Sequence, residues 1–198
     1  MNNIFISYNV GSNSSLAGLN QLVNLFDPIF IFLQEVNITN DQLLAQVSSN
    51  FSGLCNTDID QAKPGTAVLW KQGLDVNVVN VVPLRLQLIK SGTHGNFVNI
   101  YAPTGVQGAI FRRNLFTQDL LSLTQTLSPR PILVGDWNCL SRKEDVENWQ
   151  TLTSDALSQK ISLNLKQLVK DRKYTDGFFI SKRSKGWFYL EEKGEKAK

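Results

Sequence analysis

Asp136 and Asn138 stand two residues apart, directly after the apolar run Pro131-Ile132-Leu133-Val134, with Gly135 separating run from carboxylate. The run reads as a buried strand, and the glycine as the point where the backbone leaves it. A carboxylate and a carboxamide at a strand end suit a hard cation and a phosphate. Asp brings charge, and Asn brings a neutral acceptor with two donors. Gly-Asp-x-Asn is also good turn chemistry, so the pair alone leaves both readings open.

Three further apolar segments end the same way. Ile4-Phe5-Ile6-Ser7-Tyr8-Asn9 delivers Asn9, Ile29-Phe30-Ile31-Phe32-Leu33-Gln34-Glu35 delivers Glu35, and Phe97-Val98-Asn99-Ile100-Tyr101 delivers Tyr101. Each has a plain alternative: Asn9 as a turn residue before Gly11, Tyr101 as a rim aromatic, Glu35 as a solvated strand end. A lone carboxylate after so apolar a run is nevertheless costly to bury unpaired. If the four strands are neighbours, Asn9, Glu35, Tyr101, Asp136 and Asn138 converge at one end of the molecule, where sites of α/β proteins gather.

The elements that must position these residues alternate along the chain. A helix is expected from about Ser14 to Phe26, with Leu16, Leu19, Leu22, Val23 and Phe26 at helical spacing and Ser14 or Ser15 as cap. Asp27-Pro28 ends it. Thr39 or Asn40 caps a short helix through Val47. Strands follow at Phe51-Leu54, Thr66-Trp70, Val76-Val82, Leu84-Lys90 and Phe97-Tyr101, separated by Pro- and Gly-containing turns. Leu84-Arg85-Leu86-Gln87-Leu88-Ile89 alternates, which predicts a half-exposed strand. A long helix is expected over Val106 to Leu127, stopped by Ser128-Pro129-Arg130-Pro131, and a last one over Leu163 to Val169. Consecutive strands in the middle with helices on either side argue for mixed rather than purely parallel pairing.

With 198 residues, 42% hydrophobic and 19% charged, the chain suits a single globular domain. We take residues 1–190 as that domain and 191–198 as a charged tail. No apolar stretch approaches a membrane span. The N-terminus lacks a basic region and a signal core, so an intracellular location, nuclear or cytoplasmic, is expected. Two cysteines and one histidine leave no zinc site and point to free thiols. Net charge is +3 but uneven: 7 Lys and Arg oppose 8 Asp and Glu through Asn138, and 13 oppose 9 beyond it. The excess collects in Lys166 to Lys185, including Lys182 and Arg183, as a run that attracts phosphate backbones or serves as a solvated surface. Interleaved Tyr174, Phe178, Phe179, Trp187 and Phe188 fit a core better than a base-stacking platform.

Asn9, Leu33-Gln34-Glu35, Gly65-Thr66-Ala67-Val68-Leu69, Asn99-Ile100-Tyr101-Ala102-Pro103 and Gly135-Asp136-Trp137-Asn138-Cys139 occur in an order that resembles the endonuclease/exonuclease/phosphatase superfamily. Within it the chain looks most like the apurinic-endonuclease-type domain of non-LTR (LINE-like) retrotransposons, a likeness extended by Phe111-Arg112-Arg113 before Leu115-Phe116 and by Tyr174-Thr175-Asp176-Gly177-Phe178. The resemblance runs from about Asn3 to about Tyr189.

What the resemblance implies is an α/β fold of two packed mixed β-sheets flanked by helices, a four-layer sandwich, with the site at one edge. It implies a Mg²⁺-dependent (or Mn²⁺-dependent) DNA-nicking hydrolase with no small-molecule cofactor, a monomeric domain of a larger polyprotein. Glu35, with Asn9 beside it, would hold the metal. Tyr101 would donate to a phosphate oxygen or stand near the leaving oxygen. Asp136 and Asn138 would orient water and bind phosphate, with Asn9, Lys182 and Arg183 on the DNA. Family members continue to a Ser-Asp-His strand that has no match here. The last strands are therefore expected to be missing, as in a gene fragment or a decayed copy, and activity to be low or absent. His94, in Ser91-Gly92-Thr93-His94-Gly95, reads as a solvated turn residue. Two other readings stay open: a phosphatase or phospholipid phosphodiesterase of the same superfamily, and a non-catalytic nucleic-acid-binding remnant.

Overall fold

Phe30, Ile31, Phe32 and Leu33 are all inaccessible to solvent, although a strand turns successive side chains to opposite faces. Both faces of this strand, β2 (Phe30–Val36), are covered. Phe30 and Phe32 meet Ile89, Phe97 and Val134 of a second sheet. Ile31 and Leu33 pack with Leu16, Leu19 and Leu43 of helical segments. A computed structural model describes residues 4–11, 16–105, 108–139, 162–171, 174–176 and 188–192, and the same arrangement runs through them.

The first sheet has the order β1 (Phe5–Asn9), β2, β4 (Lys63–Lys71), β3 (Phe51–Asp58). The second runs β5 (Val76–Val82), β6 (Leu86–Ser91), β7 (Gly95–Tyr101), β8 (Ile132–Asp136), β10 (Phe188–Glu192), β9 (Tyr174–Asp176). β1 with β2, and β7 with β8, are parallel pairs; the other pairs are antiparallel. Helices α1 (Ala17–Phe26) and α2 (Asn40–Ala45) cover the first sheet. On the second lie α3 (Gly108–Asn114), a π-helical segment (Leu115–Leu120), α4 (Leu121–Thr126) and α5 (Leu163–Asp171). Helix, sheet, sheet and helix make the expected four-layer α/β sandwich of mixed sheets. Glu191 and Glu192, at the start of the charged tail, form the end of β10.

The two parallel pairs decide where the polar strand ends go. Parallel neighbours need a crossover, and both crossovers are helical: α1 between β1 and β2, and α3 to α4 between β7 and β8. Each pair therefore presents two C-terminal ends together. The face between the sheets also changes along its length. Phe5, Phe30, Phe32, Phe97 and Val134 form an aromatic-rich core, with the Phe32 and Phe97 ring centroids 5.3 Å apart. Burial of each such side chain is worth about 1.5–3 kcal/mol. Beyond it lies a buried amide layer. Gln34 donates to Asn99 Oδ1 at 2.8 Å and accepts from Ser7 at 3.3 Å. Asn99 donates to the Ala67 and Leu33 carbonyls and to Gln87. Past the amides come Asn9, Glu35, Tyr101 and Asp136.

Several expectations are corrected by packing. β6 is not half exposed: Leu86 and Leu88 enter the helix-side core, while Gln87 is buried between the sheets, donating to the Leu54 carbonyl and to Asn80. Its alternation separates two buried environments, one apolar and one amide-rich. α1 begins at Ala17, with Leu16 at its N-cap and no side-chain cap bond; the expected caps, Ser14 and Ser15, lie outside the described residues. α2 carries the expected cap: Thr39 and Gln42 form a reciprocal capping box. The long helix is broken in phase by its π-helical segment, which buries Leu115, Phe116 and Leu120. His94 is part-buried rather than solvated, edge-on to Phe30 at 5.8 Å with Nδ1 2.7 Å from Thr93 Oγ1.

Candidate active site

Register aligns Asn9 with Gln34 across the first parallel pair, and Tyr101 with Asp136 across the second. Glu35 needs a further device. Strict alternation would send it to the helix side, because Gln34 faces the other sheet. A register shift between Gln34 and Val36 against β4, with Glu35 at φ +59°, re-aims it. A bulge of this kind re-aims a side chain at the cost of a local bend in the strand. Left-handed backbone costs a glutamate of order 1–3 kcal/mol. Asn138 is left-handed as well, at φ +48°. Two candidate residues in this uncommon region mark a constellation that the surrounding packing forces into place.

At the centre is the Asn9 carboxamide. Its nitrogen donates to Glu35 Oε1 at 3.2 Å and to Asp136 Oδ2 at 2.7 Å. Its oxygen accepts from the Gly11 backbone N–H at 2.9 Å, and that N–H fixes which way round the amide lies. Asn9 is thus a donor bridging two carboxylates, and its oxygen, with one lone pair on Gly11, keeps a second for a ligand. Two carboxylates sharing one neutral amide suit a hard divalent cation, which takes oxygen ligands. Glu35 and Asp136 could supply them; among the described residues no group of three or more His, Cys, Asp or Glu is clustered for a metal.

The turn after β8 completes the site. Asp136 Oδ1 accepts from the Asn138 backbone N–H at 2.9 Å, and Asn138 Nδ2 donates to the Ala102 carbonyl at 2.7 Å. Asn138 therefore staples this turn to the end of β7, and its amide keeps a second hydrogen for a ligand. Only glycine fits before Asp136. Gly135 has φ +130°, and a Cβ there would lie 2.0 Å from the Ile100 carbonyl oxygen. Trp137 points away, buried against Phe116.

Tyr101 is held protonated above its ordinary range, first by burial and next by the Glu35 charge, with Asp136 adding a little. Arg85 acts oppositely through its charge and a hydrogen bond. Its guanidinium carbon lies 4.6 Å from the Tyr101 ring centroid. Arg85 is the site residue that sequence reasoning missed. The only available signal was its place in the turn before β6, read as an alternating strand. Of the other expected ligands, Lys166 and Lys170 are exposed on α5. Lys182 and Arg183, and the Arg172, Lys173 and Lys185 of the same run, lie outside the described residues. So do the side chains of the late aromatics.

The sequence pattern of the Endonuclease/Exonuclease/phosphatase family matches residues 6–190. No curated protein matches the chain. Solved structures share its fold at low identity. An AP endonuclease from Archaeoglobus fulgidus superposes with a TM-score of 0.68 at 16% identity, over 93% of this chain and 85% of that one. The Neisseria 3′ phosphatase NExo, in a structure bound to a product DNA hairpin, gives 0.65 at 12% identity over 93% and 84%. The endonuclease domain of TRAS1, a telomere-specific non-LTR retrotransposon, gives 0.60 at 12% identity over 93% and 82%.

Proposed function

The chain belongs to the Endonuclease/Exonuclease/phosphatase family, and from that premise we propose that it hydrolyses phosphodiester bonds in DNA with a divalent cation, Mg²⁺ or Mn²⁺, as the nicking domain of a non-LTR retroelement. The observation that carries this reading is the Asn9 amide held between Glu35 and Asp136 at the common end of two parallel strand pairs. A cation bound there would polarise the phosphate and stabilise the leaving oxygen.

The chain's own groups do the rest. Glu35 is the ligand for the cation, and Asn9 keeps that carboxylate in place through Nδ2. Asp136, oriented by the Asn138 N–H, accepts from the attacking water. Tyr101 stays protonated well past neutral pH and donates to a phosphate or leaving oxygen. Asn138 offers its remaining amide hydrogen to the phosphate, and Lys182 and Arg183 meet the DNA backbone. The single histidine, His94, immediately precedes β7, whereas Tyr101 ends it. These 198 residues hence place no imidazole at the site, and turnover is expected about 10² to 10⁴ below a complete acid–base set. The likeness to the endonuclease domain of TRAS1 supports the retroelement reading, within which we take the chain as a monomeric domain of an intracellular polyprotein.

Nicking of supercoiled plasmid, with Mg²⁺ and with chelator, tests the reading. Slow metal-dependent relaxation that Glu35→Ala abolishes supports it. Salt-sensitive DNA binding without cleavage, indifferent to Glu35→Ala, would instead make this a binding remnant. Because one structural neighbour is a DNA 3′ phosphatase, a 3′-phosphorylated hairpin belongs in the same substrate panel, together with a phospholipid.

A further inference from the structure

Arg85 reaches the site from an unusual turn. β5 and β6 are joined through Pro83 and Leu84, and Leu84 is left-handed at φ +65°, an outlier for a bulky side chain. The turn is clamped from the other sheet by Asn56, which is buried on β3. Asn56 Oδ1 accepts from the Leu84 N–H at 3.0 Å, and its Nδ2 donates to the Val82 carbonyl at 3.0 Å. Gly65 of β4 lets the strands close here: a Cβ on it would lie 1.9 Å from the Asn56 carbonyl oxygen and 3.2 Å from Leu84 Cα. A buried carboxamide on β3, a glycine on β4 and a strained leucine in the turn itself thus serve one turn. The next residue along the chain is Arg85.

From that turn Arg85 binds Tyr101 in several ways. The Tyr101 N–H donates to the Arg85 carbonyl at 2.9 Å. Nη1 of Arg85 donates to the Tyr101 carbonyl at 3.5 Å. The guanidinium lies over the ring, 4.6 Å from its centroid, an arrangement favoured by the ring quadrupole. On its other sides Tyr101 faces the Glu35 carboxylate of β2 and the Asp136 carboxylate of β8.

We propose that Arg85 is a positioning residue for Tyr101: aimed by the Asn56–Leu84 turn, it clamps the phenol ring at the Glu35–Asn9–Asp136 cluster and supplies the cation that balances the two carboxylates there. The kinetic arm of this inference rests on the phosphodiesterase reading; the stability arm does not.

The experiment is a double-mutant cycle of thermal stability on the full chain, with Arg85→Gln, Tyr101→Leu and the two together. The Tm losses of the single variants are expected not to add, the double variant losing less than their sum, because each removes the same ring contact. Additive losses overturn the proposal. Asn56→Ala, which keeps Arg85 but frees its turn, is expected to reduce the non-additivity; if it does not fold, the Arg85–Tyr101 cycle decides alone. Where nicking is measurable, Arg85→Gln should lower kcat about tenfold with KM held within about twofold, the size of one cation–π contact, and Arg85→Lys should recover part of the loss. A raised KM with unchanged kcat would make Arg85 a substrate clamp and sink the positioning role. Coupled Tm losses in a protein that cleaves nothing keep this inference while removing the functional reading above.

Discussion

The side chains of Asn9 and Asp136, 127 positions apart in the chain, meet at 2.7 Å. The contact ties the first parallel pair to the second, because Asn9 ends β1 and Asp136 ends β8. The same amide nitrogen also holds Glu35. Asn9 is therefore the group that joins the two carboxylates.

Replacing Asn9 by Ala should leave Glu35 and Asp136 facing each other without a shared donor. Like charges then repel at low salt, and a divalent cation relieves them. The variant should accordingly melt lower than the parent in chelator, and Mg²⁺ should recover more of its Tm than of the parent's. Scanning calorimetry with and without Mg²⁺ checks this; equal Mg²⁺ responses would argue against a shared carboxylate site.

Asn99→Leu tests the amide layer beneath the site. Asn99 is inaccessible, and four of its neighbours depend on it: the Leu33 and Ala67 carbonyls, Gln34 and Gln87. Leucine is of similar volume but leaves these groups unpaired, so the cost should be about 3 kcal/mol in urea denaturation. A loss below about 1 kcal/mol would mean that the network contributes little beyond its packing.

The strand cores and their polar ends were legible because β2 and β8 are covered on both faces, which leaves nearly unbroken apolar runs, and because parallel pairs bring their C-terminal ends together. Three features could not be read from the residues in order. The bulge that turns Glu35 inward is a one-residue register shift against β4, and no residue of Gln34-Glu35-Val36 announces it. Gln87 alternates with leucines as an exposed residue would, since a buried amide layer and solvent leave the same pattern. Arg85 is recruited by Asn56, far away in sequence, so its role depends on contact between sheets. The Asn9 amide is a further case: its type suits a metal ligand, and the contact between sheets also makes its nitrogen the donor that joins Glu35 to Asp136.

The two thiols give a pH prediction. Burial pushes Cys55 up from 9.0 to about 12 and Cys139 to about 11. Raised folded values mean that, above pH 9, the unfolded chain releases thiol protons that the native chain keeps. The contribution of these thiols to stability is whole below pH 9 and is lost as pH climbs through 11 to 12. At pH 8 both thiols should react slowly with an aromatic disulfide in the native protein and at free-cysteine rates in urea. Fast reaction of either native thiol would contradict its raised proton affinity.

Gly135→Ala asks whether the approach to Asp136 tolerates any side chain. The position combines φ +130° with a would-be Cβ contact of 2.0 Å to the Ile100 carbonyl oxygen and 2.8 Å to the Ile100 nitrogen. Both are backbone atoms of β7, so neither can swing aside as a side chain could. β8 must then move off β7, and the Tyr101–Asp136 register moves with it. We expect a loss of about 3 kcal/mol or more in urea denaturation, the range of strained backbone sites. Nicking should fall further than stability alone explains, because the Asp136 carboxylate is displaced from Asn9. Gly73→Ala is the control: its φ of +86° is comparably left-handed, but nothing lies within 4 Å of a Cβ there. That variant should lose only the conformational part, about 1 kcal/mol, and keep any activity the parent has. Equal losses in the two variants would place the requirement in backbone conformation and remove the close approach of β8 to β7 as its cause.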